Sequence, residues 1–254
     1  MRLLLLSVIF IATQSYNITQ LITSVLLSGA AYCDDYSQIS IDNLNILDTF
    51  YDEETDLRGF TATLDNIFYI ALRGSSSTQN WLDDFEILLV DYNKCQDCSI
   101  HHGFYKSALG IKSQVINSIE EDAYNIDKII ITGHSYGAAV AQILALELLD
   151  INNNIHVYNF GQPRTGNTNF AHYTNKMLPN YWRVTHDRDI VPHLPPKIIY
   201  THSCGELFEN SSGDLFECSK TECEDDKCSQ QYRLIQTDTN DHLYYLGHRV
   251  TCVN

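Results

Sequence analysis

The chain has 254 residues, 44% of them hydrophobic, and a formal charge of −16 from 32 acidic against 16 basic side chains. That length holds one large α/β domain with a deep core, or two small ones. The acidic balance excludes electrostatic binding of nucleic acid or of anionic membrane surfaces, and suits a soluble secreted protein.

The first fifteen residues, MRLLLLSVIFIATQS, carry one basic side chain, an apolar run, and small or polar residues at the end. They read as a secretory signal peptide, being too short for a membrane span and lacking a stop-transfer flank. No later stretch is apolar enough to be a transmembrane anchor. No linker, repeat or low-complexity tract follows, so residues 16–254 are expected to form a single domain. Eight cysteines in a secreted chain imply four disulfides. Asn17-Ile18-Thr19 and Asn210-Ser211-Ser212 are glycosylation sequons, the second in an expected surface loop.

Residues 21–32 are helix-like and end at Cys33, and residues 67–72 (IFYIAL) form a strand-type run closed by Arg73-Gly74. Residues 75–92 begin polar and become amphipathic, and Cys95 and Cys98 follow. Phe104, Ala108, Ile111, Val115 and Ile119 then recur at helical spacing, marking one buried face. A β-branched run, Ile129 to Ile131, leads to Gly133-His134-Ser135-Tyr136-Gly137, and a helix rich in Ala and Leu continues past it. Further strands are expected at residues 156–160 and 181–185. The alternation of strand and helix predicts an α/β class with a mostly parallel central sheet and flanking helices. The acidic segment 204–228 predicts a loop or short hairpin tied by disulfides.

The stretch between the strand at 129–131 and the following helix has the form G-x-S-x-G. It is the nucleophile elbow in the setting that turn needs, a buried strand entering and a helix leaving. The serine takes a strained conformation, and a side chain at Gly133 or Gly137 would collide with a neighbouring element. A serine hydroxyl needs a base, the base an orienting carboxylate, and the oxyanion fixed donors. In α/β-hydrolases the carboxylate and then the histidine follow the serine in the chain. By spacing, Asp187 and Asp189 both qualify as the carboxylate. Of the later histidines, His193 and His202 lie close in sequence to that loop and His248 reads as a surface residue. His242, just before an aromatic and apolar patch, is the best-placed base.

The chain resembles the fungal-type class 3 lipases, the family of filamentous-fungal triacylglycerol lipases and related feruloyl esterases. The shared pieces stand in the family's order: Arg73 to Ser77, His101 to Phe104, Gly133 to Gly137, Phe160 to Asn167, Arg183 to His186 with Asp189 to Pro196, and Asp241-His242. The resemblance implies an α/β-hydrolase fold with a short helical lid, and Ser135, Asp189 and His242 as the triad, choosing Asp189 over Asp187. It also implies an oxyanion hole from the backbone N–H groups of Ser75 and Tyr136. Tyr136 and Ala138 depart from the commoner Leu and Gly, which alters packing rather than chemistry. His101 reads as a packed structural histidine, and Gly161 and Gly166 as turn formers. By the same resemblance Cys33 pairs with Cys252 and Cys95 with Cys98, while Cys204, Cys218, Cys223 and Cys228 leave three pairings open.

Residues 78–90 fall where the family carries its lid. Trp81, Leu82 and Phe85 give a short helix one apolar face, with Gln79, Asp83 and Asp84 turned elsewhere. These features predict a secreted serine ester hydrolase, a triacylglycerol lipase acting as a monomer on lipid or ester substrate at a lipid–water interface. The alternatives are a feruloyl or other carboxylesterase of the same family, a phospholipase, and a binding protein with a silent site. No cofactor or metal is called for.

Overall fold

The structure is a computed structural model and describes residues 16–36, 39, 41–75, 87–122, 126 and 128–252. The expected signal peptide at 1–15 lies outside them, as do Trp81, Leu82 and Phe85 of the expected lid. The described end of that lid segment enters a strand, Leu89–Asp91.

Among the described residues the central sheet has eight strands: β1 (Asn45–Asp52), β2 (Leu57–Leu64), β3 (Ile67–Leu72), β6 (Lys128–His134), β7 (Ile155–Phe160), β8 (Tyr181–His186), β9 (Glu206–Glu209) and β10 (Leu215–Glu217), in that spatial order. The four pairings from β3 through β9 are parallel, and the other three, β1–β2, β2–β3 and β9–β10, are antiparallel. Leu89–Asp91 (β4) and Ser99–His101 (β5) make a separate short hairpin. The continuously apolar pattern of the inner strands has a simple cause. Phe68, Ile70 and Leu72 of β3 and Ile129 and Ile131 of β6 face one core, while Tyr69, Ala71 and Ile130 face another. Successive side chains leave opposite faces of a strand, so a strand covered on both sides is apolar throughout.

Helices α2 (His102–Asp122) and α3 (Tyr136–Glu147) cover the first face, and α1 (Ile18–Ala30) covers the second. Phe104, Ala108, Ile111, Val115 and Ile119 form the buried stripe of α2. Every residue from Gly137 to Glu147 is buried, which is why α3 is apolar apart from Gln142 and Glu147, both hydrogen-bonded. A further helix, α4 (Thr168–Met177), follows the Gln162-Pro163-Arg164 loop. Asn17 caps α1 by accepting from the Gln20 N–H at 3.0 Å, and Ser28 Oγ lies 2.8 Å from Thr132 Oγ1, docking that helix on β6.

All eight cysteines are bridged: Cys33–Cys252, Cys95–Cys98, Cys204–Cys223 and Cys218–Cys228. The segment expected as a tied loop or hairpin does contain a hairpin, but its first strand, β9, joins the main sheet beside β8. Asn17 of the first sequon is exposed, and Asn210 of the second lies in the β9–β10 turn, accepting from the N–H groups of Ser212 and Asp214. No described helix is long and apolar enough to cross a membrane.

Candidate active site

β6 delivers Ser135 into the turn at φ 56°, ψ −125°, a region that only a tightly held non-glycine residue occupies. The two glycines are required by contact. A Cβ on Gly133 would fall 2.5 Å from the Gly137 backbone, and one on Gly137 would fall 2.5 Å from the Arg73 carbonyl at the end of β3. The Ser135 N–H bonds the Phe160 carbonyl at 2.9 Å, so the turn is also latched to β7.

Asp189 and His242 come from loops far apart in the chain and meet in the interior. His242 Nδ1 lies 3.0 Å from Asp189 Oδ2, and both side chains are about fully buried. Asp189 also accepts from the Val191 N–H at 2.9 Å and from the Tyr245 hydroxyl. Burial would raise the Asp189 carboxyl, but the neighbouring His242, Tyr245 and Val191 N–H outweigh it and hold the carboxyl below its ordinary value. Ionised Asp189 accepts a hydrogen bond from the N–H at Nδ1, which leaves Nε2 without a proton on the far side of the ring. His242 Nε2 and Ser135 Oγ are both buried and neither has a hydrogen-bond partner among the described residues.

His242 packs against the elbow. Its ring centroid is 4.3 Å from that of His134, and a Cβ on Gly161 would fall 2.7 Å from its ring. Gly161, at φ +56°, thus shapes the notch holding His242 as well as turning the chain. His134 Nε2 lies 2.7 Å from the His242 carbonyl oxygen, and its Nδ1 lies 2.7 Å from the Tyr32 hydroxyl. Burial, then the adjacent His242, push His134 down to about 3, so it is neutral at ordinary pH.

The other sequence candidates lie elsewhere. Asp187 accepts from Tyr232 at 2.7 Å, and His202 Nε2 bonds the Pro192 carbonyl. The His193 carbonyl accepts from Arg164, and His248 is in a two-residue strand (His248–Arg249). His101 stacks on Phe104 and accepts the Phe104 N–H on Nδ1 at 3.3 Å. The Tyr136 N–H stands at the first turn of α3, while its hydroxyl reaches the Gly103 carbonyl and Ser107 on α2. Ser75 follows Gly74, where a Cβ would fall 3.1 Å from Ser135 Cβ, so the loop after β3 runs beside the serine. Tyr245, Tyr32 and the part played by His134 were not predicted. The only local signal was the aromatic patch just after His242.

Arg164 of the Gln-Pro-Arg loop is buried and braces the loop after Asp189, donating to the carbonyls of His193 and Pro195. Its guanidinium also pairs with both oxygens of Glu224.

Known proteins resemble the chain along most of its length. Residues 69–198 match the family model for lipase (class 3). A lipase of Rhizomucor miehei is 30% identical across 93% of this chain and 70% of its own length. The secreted mono- and diacylglycerol lipase 1 of Fusarium solani is 31% identical across 71% of this chain, which spans about half (55%) of that relative. A solved triacylglycerol lipase whose catalytic centre is a serine protease triad superposes with a TM-score of 0.82 at 30% identity, over 92% of this chain and 95% of that one. The chain belongs to the class 3 lipase family and is a carboxylic ester hydrolase.

Proposed function

We propose that the protein is a secreted triacylglycerol lipase in which Ser135 is the nucleophile, His242 the base and Asp189 the orienting carboxylate. One observation carries this reading. Among the described residues, the imidazole fixed by Asp189 on one side leaves Nε2 unpartnered in the interior, beside the elbow where the Ser135 hydroxyl is also unpartnered.

In this mechanism His242 takes the Ser135 proton as Oγ attacks the ester carbonyl, and Asp189 stabilises the imidazolium. The N–H groups of Ser75 and Tyr136 receive the oxyanion; the second lies at a helix N-terminus, where the dipole favours negative charge. The alcohol leaves with the proton from His242, and water, activated by the same base, releases the acid. The strained turn holds Oγ out toward substrate, so little reorganisation is needed at the moment of attack.

The names of the relatives and neighbours support acylglycerols as the substrate class. The apolar residues Trp81, Leu82 and Phe85 support a lid that opens on lipid. Secretion is supported by the leader-like residues 1–15 and by four disulfides, which persist in oxidising compartments. Ser135→Ala should abolish hydrolysis of p-nitrophenyl butyrate and leave the circular dichroism spectrum unchanged; turnover surviving in that variant would overturn the assignment. Rates on tributyrin below and above its solubility limit, beside methyl ferulate, test the substrate. A jump at the emulsion point is expected, and turnover of methyl ferulate without one would make the protein a feruloyl esterase instead.

A further inference from the structure

A chain of hydrogen bonds touches three of the loops that the proposed mechanism requires. Tyr32 follows the end of α1, one residue before Cys33, whose bridge to Cys252 ties that helix end to the C-terminal segment. Its hydroxyl is 2.7 Å from His134 Nδ1, and His134 Nε2 is 2.7 Å from the carbonyl oxygen of His242. A carbonyl can only accept, so Nε2 carries the proton. In a neutral ring Nδ1 is then the acceptor, and the Tyr32 hydroxyl donates to it. The lone pairs of that hydroxyl face the oxyanion loop, where the Gly74 backbone hydrogen-bonds to it. The contact is close enough that a Cβ on Gly74 would fall 2.1 Å from Tyr32 Oη.

The direction of every bond follows: the Gly74 N–H donates to Tyr32, Tyr32 to His134, and His134 to the His242 backbone. The geometry points to Tyr32 and His134 as positioning residues that hold the Ser75 loop, the Ser135 elbow and the His242 loop in mutual register. Asp189 grips the His242 ring at Nδ1, while His134 grips its backbone, and two attachment points fix where Nε2 is aimed. Histidine suits the place before the nucleophile because one rigid ring accepts on one side and donates on the other. Its neutrality leaves the adjacent His242 free to become an imidazolium during the reaction.

The inference rests on the ester-hydrolase reading, and the experiment separates the two. If the wild-type protein does not turn over p-nitrophenyl butyrate, that reading fails before any variant is compared. Given wild-type turnover, Tyr32→Phe removes one oxygen and keeps the ring. Its kcat should fall about tenfold with KM within about twofold, because alignment loosens while substrate contacts stay. Tyr36→Phe is the control: its hydroxyl bonds the Ala31 carbonyl at 3.3 Å near the same helix end, outside the chain of bonds, and its kcat should equal the wild type's. His134→Gln, whose amide can both accept and donate, should retain more kcat than His134→Leu. Adding Tyr32→Phe to His134→Leu should cost little more, since both break one chain. Wild-type kcat in Tyr32→Phe, an equal loss in Tyr36→Phe, a loss confined to KM, or losses that multiply in the double variant would each overturn the inference. Should His134→Leu not fold, the comparison of Tyr32→Phe with Tyr36→Phe decides alone.

Discussion

Tyr245 stands three residues after His242, and its hydroxyl donates to the same Asp189 oxygen that faces the His242 ring. It also lies 3.4 Å from His242 Nδ1, so carboxylate, imidazole and phenol form one compact buried unit. A hydrogen bond to a buried carboxylate contributes about 1.5–3 kcal/mol, more than one between neutral groups. Tyr245→Phe should therefore lower unfolding stability by about that amount. It should also move the acid limb of the kcat/KM profile. The phenol helps hold Asp189 below its ordinary value, so removing it raises the Asp189 carboxyl and shifts the loss of activity to higher pH. A pH–rate profile coincident with that of the wild type would show that Asp189 does not need the phenol to stay ionised.

At the scale of elements, α1 packs against β6, and the Cys33–Cys252 bridge pins its C-terminal end across 219 residues of sequence. A loop that long removes much freedom from the unfolded chain, so replacing both cysteines by serine should cost about 3–5 kcal/mol, read as a lower urea midpoint. An unchanged midpoint would mean that the packing of α1 on the sheet suffices. The elements legible in the sequence were those with one period and one length. The stripe of α2 and the runs of β3 and β6 could be read because burial on one or both faces dictates the residue types. The β1–β2 hairpin was not foreseen. Its first strand is largely exposed and does not alternate cleanly, and Gly59 of β2 is glycine because a Cβ there would strike Ala71 and Phe50. Nor could β9 be assigned to the main sheet, because its pairing with β8 is a tertiary matter. The same divide runs through the site. Ser135 announces itself by local turn chemistry, and Asp189 and His242 by chain order and family motif. Tyr32 and Tyr245 matter only through partners distant in sequence or in another loop.

The whole molecule is held to its site by a second set of buried charges, centred on Arg164. That guanidinium braces the loop after Asp189 through two carbonyls and pairs with both oxygens of Glu224. Glu224 adjoins Cys223 and also receives Lys197 and the His202 N–H, so the disulfide-tied segment and the Asp189 loop are one unit. Burial alone would raise the Glu224 carboxyl. The hydrogen bond from Arg164 is the largest of the contributions that outweigh burial, with His202 and Lys197 adding to it, and together they hold the carboxyl far below the ordinary carboxylate range. The sign of the linkage follows. With the folded value below the unfolded one, the unfolded chain takes up the proton first as pH falls. The contribution of Glu224 is then complete above its ordinary value of 4.5 and is lost progressively below it. Breaking a buried pair by removing one partner costs about 3–5 kcal/mol, because the other charge is left uncompensated. Glu224→Gln should therefore be less stable than the wild type by about that much at pH 7, with the difference shrinking steadily between about pH 4.5 and pH 2. The excess of acidic side chains over the whole surface also responds to acid, but it acts on both proteins and largely cancels in the difference. Urea midpoints measured for the pair at pH 7, 5 and 3 check this. A difference that stays constant over that range would mean that Glu224 acts through packing rather than through its charge.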